Sequence, residues 1–154
     1  ATRIYEGQLA VMGDRGPHSA EIRHMAAQEA EHRAKFDALL AKRGVRPTAL
    51  HPFWSAAGYA LGAGTALLGP EAAMACTAAV ETEIDKHYSE QLDRLQATGA
   101  DPELAAMIEE FREEEREHRD SALANGAERA PAYPLLAGAI RLGCRIAIKV
   151  SERL

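Results

Sequence analysis

Apolar side chains along this chain recur every three or four positions, which is the spacing of one buried face of an α-helix. Between residues 21 and 40 this spacing aligns Ile22, Met25, Phe36 and Leu39 on one stripe. The alternation of β-branched residues that is typical of strands is absent. Six helical segments remain between glycine- and proline-containing breaks at 13–17, 44–47, 69–70, 99–102 and 125–134. The pattern therefore predicts an all-α fold.

Two polar pairs continue the apolar stripes of two different segments. Glu29 and His32 fill the missing steps of the stripe in the second segment, and Glu115 and His118 do the same in the fifth. A single Glu-x-x-His is weak evidence, because most such residues are solvated. A buried carboxylate and imidazole, however, are costly unless they are paired or bind a metal. Since the string Glu-x-Glu-His-Arg occurs twice, we predict two facing helices that bring both pairs to one metal site.

The segment from about residue 71 to about residue 95 adds a third inward carboxylate, Glu81, whereas Glu83, Glu90 and Arg94 lie off that face. Alone, Glu81 would suit a boundary residue or a buried salt bridge equally well. Beside the two pairs we interpret it as a bridging carboxylate. On the other two helices, Glu31, Glu113 and Glu117 fall off the stripes, so we expect them in solvent.

The number of ligands leaves one position open. A ferritin-like di-metal bundle takes one Glu from each of two helices and a Glu-x-x-His from each of the other two. Glu81 precedes Glu115 by 34 residues, and the same interval before Glu29 falls upstream of Ala1. We therefore expect a first helix that is truncated at its N-terminus and a sixth Glu ligand upstream. Glu6, the carboxylate nearest the start, is a poor replacement.

Composition limits the classes of function. The 154 residues fit a single domain, 1–154, and the net charge of −5 argues against nucleic acid as a partner. A hydrophobic content of 47% with only 5% aromatic residues is typical of alanine-rich helices. Cys76 and Cys144 lie in apolar helical surroundings, where we expect reduced core residues.

The segment 47–70 contains no Asp, Glu, Lys or Arg, so its helix is apolar on all sides. Its prolines and glycines favour a buried or interfacial helix over a membrane span, and Trp54 and Tyr59 suit an interface. Gly58 and Gly62 would allow either a close helix contact or a ligand channel.

The last segment, 135–153, combines apolar residues with a cation at every fourth position, namely Arg141, Arg145, Lys149 and Arg153. This pattern is typical of a helix that lies on an anionic membrane surface, although a solvated stripe is the simpler alternative. Together with the charge-free segment it favours peripheral membrane contact through 47–70 and 135–153.

These features resemble the demethoxyubiquinone hydroxylase family, the di-iron monooxygenases of ubiquinone biosynthesis. Beyond the Glu and His residues, the resemblance rests on Ile4-Tyr5 with Gly7-Gln8, Arg46-Pro47-Thr48, Ala60 to Gly69, Ala73 to Thr77, His87-Tyr88, Ala130 to Tyr133 and Ser151 to Leu154.

The resemblance implies a ferritin-like four-helix bundle with two additional apolar, membrane-facing helices. It also implies two Fe ions held by Glu29, His32, Glu81, Glu115 and His118. The implied reaction is hydroxylation of a demethoxy-ubiquinol, a polyprenyl methoxy-methyl-benzoquinol, by O2 with NADH as reductant.

The implied site extends beyond the metal ligands. His87 and Tyr88 would relay electrons or protons to the irons, although a packing Tyr and a half-exposed His explain these two residues equally well. For the isoprenoid tail we expect an apolar channel formed by the glycines of 60–69 and the helix 135–150.

The implied partners are the polyprenyl quinol, a lipid-binding protein that presents it, and further copies of the chain in a homo-oligomer. The implied location is peripheral, on the cytoplasmic face of a bacterial inner membrane or the matrix face of the mitochondrial inner membrane.

Two other functions suit the same bundle. An iron-storage or ferroxidase protein needs polar outer helices, and the charge-free segment 47–70 argues against it. A non-catalytic quinone- or lipid-binding module with an incomplete site stays open, because the sixth Glu is not within the chain.

Overall fold

The computed structural model describes residues 1–153, which form six α-helices and one short 3₁₀ turn, with no β-strand among them. The helices are α1 (Thr2–Met12), α2 (Ser19–Arg43), α3 (His51–Leu67), α4 (Pro70–Thr98), α5 (Pro102–Ala124) and α6 (Tyr133–Ser151), and the 3₁₀ turn is Ala127–Arg129. The prediction of an all-α fold with six helical segments is confirmed.

Local sequence explains where the helices end. Gly44 and Gly99 follow α2 and α4 with φ of 66° and 61°, a left-handed conformation that glycine adopts without a Cβ clash. At the start of α5 the Asp101 side chain accepts a hydrogen bond of 3.1 Å from the backbone N–H of Leu104, and Pro102 occupies the first helical position.

Four helices, α1, α2, α4 and α5, surround the polar centre of the molecule. α1 packs on α2 and α3, whereas α4 packs on α5 and α6. Surface ion pairs join α2 to α5 in antiparallel order, including Lys35 with Glu110 at 2.8 Å and Lys42 with Glu103 at 3.1 Å. This arrangement turns the Glu-His faces of α2 and α5 toward each other.

Helix α4 lies at the centre of the fold, and every residue from 72 to 81 is buried. Half of these ten residues are alanines, whose small side chains let neighbouring helices approach from several sides. Cys76 is buried and Cys144 of α6 is half-buried, both as free thiols in the same apolar cluster with Ile4, Val80 and Ile140. Their predicted role as reduced core residues agrees with this placement.

The structure corrects the interpretation of Glu83 and of the cation stripe on α6. Glu83 lies off the metal-facing stripe, as predicted, but it is only 2% exposed because α6 covers it. Arg141 Nε donates to Glu83 Oε1 at 2.7 Å, and Arg145 Nε donates to Glu83 Oε2 at 2.9 Å. Two of the four cations therefore anchor α6 to α4, whereas Lys149 and Arg153 are exposed and do not bond to Glu83.

Two glycines let α1 and α3 pack backbone against backbone. A Cβ on Gly7 would collide with the backbone of Tyr59 and Ala63, and a Cβ on Gly62 would collide with the carbonyl group of Ile4. Of the two roles considered for the glycines of α3, close helix contact is the one that Gly62 fulfils.

We expect Gly62→Ala to lower the free energy of unfolding by about 3 kcal/mol, because neither backbone can yield without separating the two helices. This loss corresponds to a fall in melting temperature of about 6–12 °C for a chain of this size. Gly64→Ala is the matched control, since nothing lies within 4 Å of a Cβ there. It should be neutral or stabilise by up to about 1 kcal/mol. Equal melting temperatures for the two variants would contradict the close contact.

The outer faces of α3 and α6 carry large apolar side chains in solvent. More than half of the surface is exposed for Phe53, Leu67, Leu68, Leu135, Leu142 and Ile146. Among residues 1–153, none of the helices combines the length and the hydropathy that crossing a bilayer requires.

Candidate metal centre

Five side chains from three helices converge at the centre of the bundle. Glu29, His32 and Glu115 offer ligand atoms that all lie within 4.8 Å of one another, and so do Glu81, Glu115 and His118. All five residues are buried. Because Glu115 belongs to both groups, its two carboxylate oxygens connect two adjacent positions for a cation.

The helical register accounts for this convergence. Glu and His three positions apart lie on one face of α2 and again of α5, and α4 contributes Glu81 from its own inward face. The neighbours Glu31, Glu113 and Glu117 are exposed, as the pattern predicted. Glu6 is exposed too and pairs with Arg3 instead of reaching the centre.

Each of the five side chains directs an atom into the centre that finds no hydrogen-bond partner among the described residues. These atoms are Glu29 Oε1, His32 Nδ1, Glu81 Oε2, Glu115 Oε2 and His118 Nδ1. Unpaired buried polar atoms are rare because each costs free energy. Carboxylate oxygens with one imidazole nitrogen at each position form a donor set that suits iron or manganese. The residues present therefore fit a pair of divalent ions.

The buried acidic and basic groups of the cluster shift one another's pKa values. Burial, followed by the neighbouring Glu115 and Glu29, raises the pKa of Glu81 well above its ordinary value, and burial raises that of Glu115. Although burial alone would lower it, the nearby carboxylates of Glu115, Glu29 and Glu114 raise the pKa of His32 to about 10. A metal ion must displace that proton, so binding should release protons and strengthen as the pH rises.

Several further polar groups hold the five side chains in place. The Tyr5 hydroxyl donates to Glu81 Oε1 at 2.5 Å. On the outer side of the histidines, His32 Nε2 contacts Glu114 and His118 Nε2 contacts Gln28. The helical pattern did not single out Gln28 and Glu114, although each immediately precedes the Glu of one repeated pair.

His87 and Tyr88 do not belong to the cluster. His87 is half-buried on α4 with Nε2 at 3.0 Å from the Gln91 side-chain nitrogen. Tyr88 is more enclosed, and burial raises the pKa of its hydroxyl above the ordinary value. Its ring centroid lies 6.5 Å from those of both His87 and Phe36.

A cleft of about 1060 Å³ leads to the centre from outside. Glu29 and His32 line it, together with Trp54 and the chain around residues 47–58. A second, mainly apolar cavity of about 550 Å³ lies between α2, α4 and α5 and shares Phe36, Leu40, Val45 and Tyr88 with the cleft. This cleft does not coincide with the channel predicted along 60–69 and α6, because Ile4 lies against Gly62 and, in the described part of α6, no residue lines the cleft.

Comparison with known proteins agrees with this geometry. Residues 1–151 match the family model described as ubiquinone biosynthesis protein COQ7. The chain is 58% identical, over 99% of its length and 71% of the relative, to a 3-demethoxyubiquinol 3-hydroxylase of Rhodospirillum rubrum. It is 50% identical, over its whole length and 71% of the relative, to the mitochondrial NADPH-dependent 3-demethoxyubiquinone 3-hydroxylase of Homo sapiens.

A more distant relative is the mitochondrial 5-demethoxyubiquinone hydroxylase of Saccharomyces cerevisiae, which is 41% identical over the whole chain and 72% of the relative. These matches confirm the resemblance inferred from the sequence motifs. The chain belongs to the COQ7 family of ubiquinone biosynthesis proteins.

Proposed function

We propose that this protein is a di-iron monooxygenase that hydroxylates a demethoxy-ubiquinol with O2 in ubiquinone biosynthesis. The observation that carries the proposal is the buried cluster of three Glu and two His whose unpartnered atoms face one another. The names of the relatives, all hydroxylases of demethoxyubiquinol or demethoxyubiquinone, supply the substrate class. Two bound irons would supply the electrons that activate O2, which is unreactive toward a closed-shell ring.

The assignment of ligands follows from the two overlapping groups. Glu29 and His32 would hold one ion and Glu81 and His118 the other. Glu115 would bridge them in place of Glu81, the predicted bridge, because Glu81 belongs to only one of the two groups. This is the ligand pattern of a ferritin-like bundle, in which a sixth Glu upstream of Ala1 stays a prediction. The hydrogen bond from Tyr5 fixes one oxygen of Glu81, so the other oxygen is left for the metal.

The cleft beside α2 suits an aromatic ring with an isoprenoid tail. Its lining combines Glu29 and His32 of the ligand cluster with the apolar side chains of Phe36, Leu40 and Val45. In this position the quinol ring would lie against the ligand cluster. The apolar walls would exclude water from the reacting carbon and follow the tail outward.

Iron loading combined with a quinol assay tests the proposal against its two rivals. The expected result is about two Fe per chain and O2 consumption that requires demethoxy-ubiquinol and yields its hydroxylated product. Iron oxidation without quinol hydroxylation would indicate a ferroxidase. Quinol binding without bound metal would indicate a non-catalytic module.

Aromatic rings connect the surface of α4 to the ligand cluster and support a relay from a reduced nicotinamide nucleotide. The series of rings continues inward from Tyr88 and Phe36. The ring centroid of Phe36 lies 5.2 Å from that of Phe111, and the Phe111 ring stacks on the His32 ring with their centroids 4.0 Å apart. We propose that His87 receives electrons from the nucleotide and that Tyr88 passes them inward. NADH is our predicted donor, and NADPH must be compared because the human relative is named for it.

Replacing Tyr88 with Phe should slow the reduction of bound iron by the nucleotide about a hundredfold, because the ring loses the hydroxyl that exchanges a proton with its electron. Iron content should stay at the level of the parent protein. Tyr133→Phe, on the half-buried tyrosine at the start of α6, is the matched control. Stopped-flow absorbance of the iron centre measures the rate. A normal rate in Tyr88→Phe would identify this residue as a packing side chain.

We also propose peripheral membrane contact through the exposed apolar faces of α3 and α6. The location would be the cytoplasmic face of a bacterial inner membrane or the matrix face of the mitochondrial one, and the mitochondrial names of several relatives are consistent with the second. Contact on this side would let a quinol reach the cleft from the lipid phase. A homo-oligomer and a lipid-binding protein that presents the quinol stay predictions.

A further inference from the structure

The outer hydrogen bonds of the two histidines cross between the copies of the repeat. His32 Nε2, on α2, lies 2.6 Å from Glu114 Oε2 on α5, and His118 Nε2, on α5, lies 2.9 Å from Gln28 Oε1 on α2. Each acceptor immediately precedes the Glu of the opposite pair. With Nε2 of each ring donating outward, Nδ1 is left as the lone pair that faces the centre.

The repeat differs at this one supporting position. The residue is Glu in the copy on α5 and Gln in the copy on α2. Gln28 Nε2 also donates to Glu114 Oε2 at 3.5 Å, so a chain of three hydrogen bonds links His118, Gln28, Glu114 and His32. One histidine therefore donates its outer hydrogen bond to a carboxylate, and the other donates to a neutral amide.

We propose that Glu114 and Gln28 are positioning residues that make the two metal positions unequal, so that the position held by His32 binds a divalent ion more tightly. A carboxylate acceptor draws on the N–H proton more strongly than an amide oxygen does. It thereby increases the electron density that the opposite ring nitrogen offers to a metal. The inference rests on the proposed di-metal function, which alone does not require the two positions to differ.

Glu114→Gln tests the charge without removing the hydrogen bonds, because Gln has the same shape and its oxygen can accept from both His32 and Gln28. The probe is Co²⁺, titrated into the metal-free full-length protein against a chelator of known affinity. The parent should bind two ions with unequal dissociation constants. In the variant the smaller of the two dissociation constants should increase about 10-fold to 100-fold and approach the larger one.

A second variant moves the carboxylate to the other histidine. Gln28→Glu combined with Glu114→Gln should restore two unequal constants, because the charge then supports His118. Mössbauer spectra of the iron-loaded proteins give an independent signature. The two iron sites should differ in the parent and in the double variant, and they should become more alike in Glu114→Gln.

Glu117→Gln is the matched control, since it removes the same charge from an exposed position of the same helix. It should leave both constants and both spectra unchanged, and the melting temperatures of the metal-free proteins will show that all variants fold. Two bound ions with equal constants in the parent, or a Glu114→Gln protein that matches the parent, would overturn the inference alone. A parent that binds no metal would overturn the proposed function as well.

Discussion

Glu115→Ala is expected to abolish quinol hydroxylation and to prevent both metal ions from binding. No other cluster member belongs to both ligand groups, so its loss removes a donor from each position at once. Without the ions the activation barrier should rise by several kcal/mol, and the rate should fall at least about a thousandfold. Elemental analysis and the quinol assay on the same preparation measure the two losses.

The effect of this change on stability should depend on metal. Bound ions stabilise the folded parent by about 2.7 kcal/mol when the free metal is a hundred times its dissociation constant, and this gain should vanish in the variant. In the metal-free protein, replacing Glu115 removes a buried carboxylate beside Glu29 and Glu81. The loss of charge repulsion stabilises the fold, whereas the small cavity left behind destabilises it.

Glu117→Ala provides the control for this prediction, because Glu117 is exposed two residues away on the same helix. It should keep the parent's metal content, turnover and metal-dependent rise in melting temperature. If Glu115→Ala destabilised the protein equally with and without metal, Glu115 would be a structural core residue.

The candidate site was predictable because it depends on helical periodicity. A residue's phase on its own helix is fixed locally, so Glu29, His32 and Glu115 could be placed in the core before any neighbouring helix was known. The apolar register of α4 placed Glu81 in the same way.

The burial of Glu83 could not be predicted in this way. Because Glu83 lies off the metal-facing stripe, its position on the helix is that of a solvated residue. Only the packing of α6 across α4 encloses it between Arg141 and Arg145. Because α6 is about 60 residues away along the chain, this contact has no local signal.

The position of the cleft likewise depends on a tertiary contact. The backbone contact at Gly62 closes the middle of α3 against α1, so the open space lies beside the first turns of α3 instead. Sequence alone allowed both uses of the glycines and could not decide between them.

The second large effect concerns the membrane, and there the apolar residues of α6 should matter more than its cations. Leu142 and Ile146 are 57% and 52% exposed, and burying about half of two such side chains in lipid contributes roughly 2–3 kcal/mol together. Replacing both with Gln should therefore weaken binding to vesicles about a hundredfold. Leu123→Gln, at an exposed leucine on α5, is the control and should leave binding unchanged.

Lys149 and Arg153 allow a separate test of the electrostatic contribution. Arg141 and Arg145 should stay intact, because replacing them would leave the buried Glu83 without its partners. Each free cation near an anionic surface contributes about 1 kcal/mol, so Lys149→Gln with Arg153→Gln should weaken binding to phosphatidylserine vesicles about 30-fold. The change should have no effect on neutral phosphatidylcholine vesicles, and added salt should reduce the difference by screening. Co-sedimentation measures both pairs of variants. If the variant with Leu142→Gln and Ile146→Gln bound vesicles as tightly as the parent, α6 would not contact the membrane.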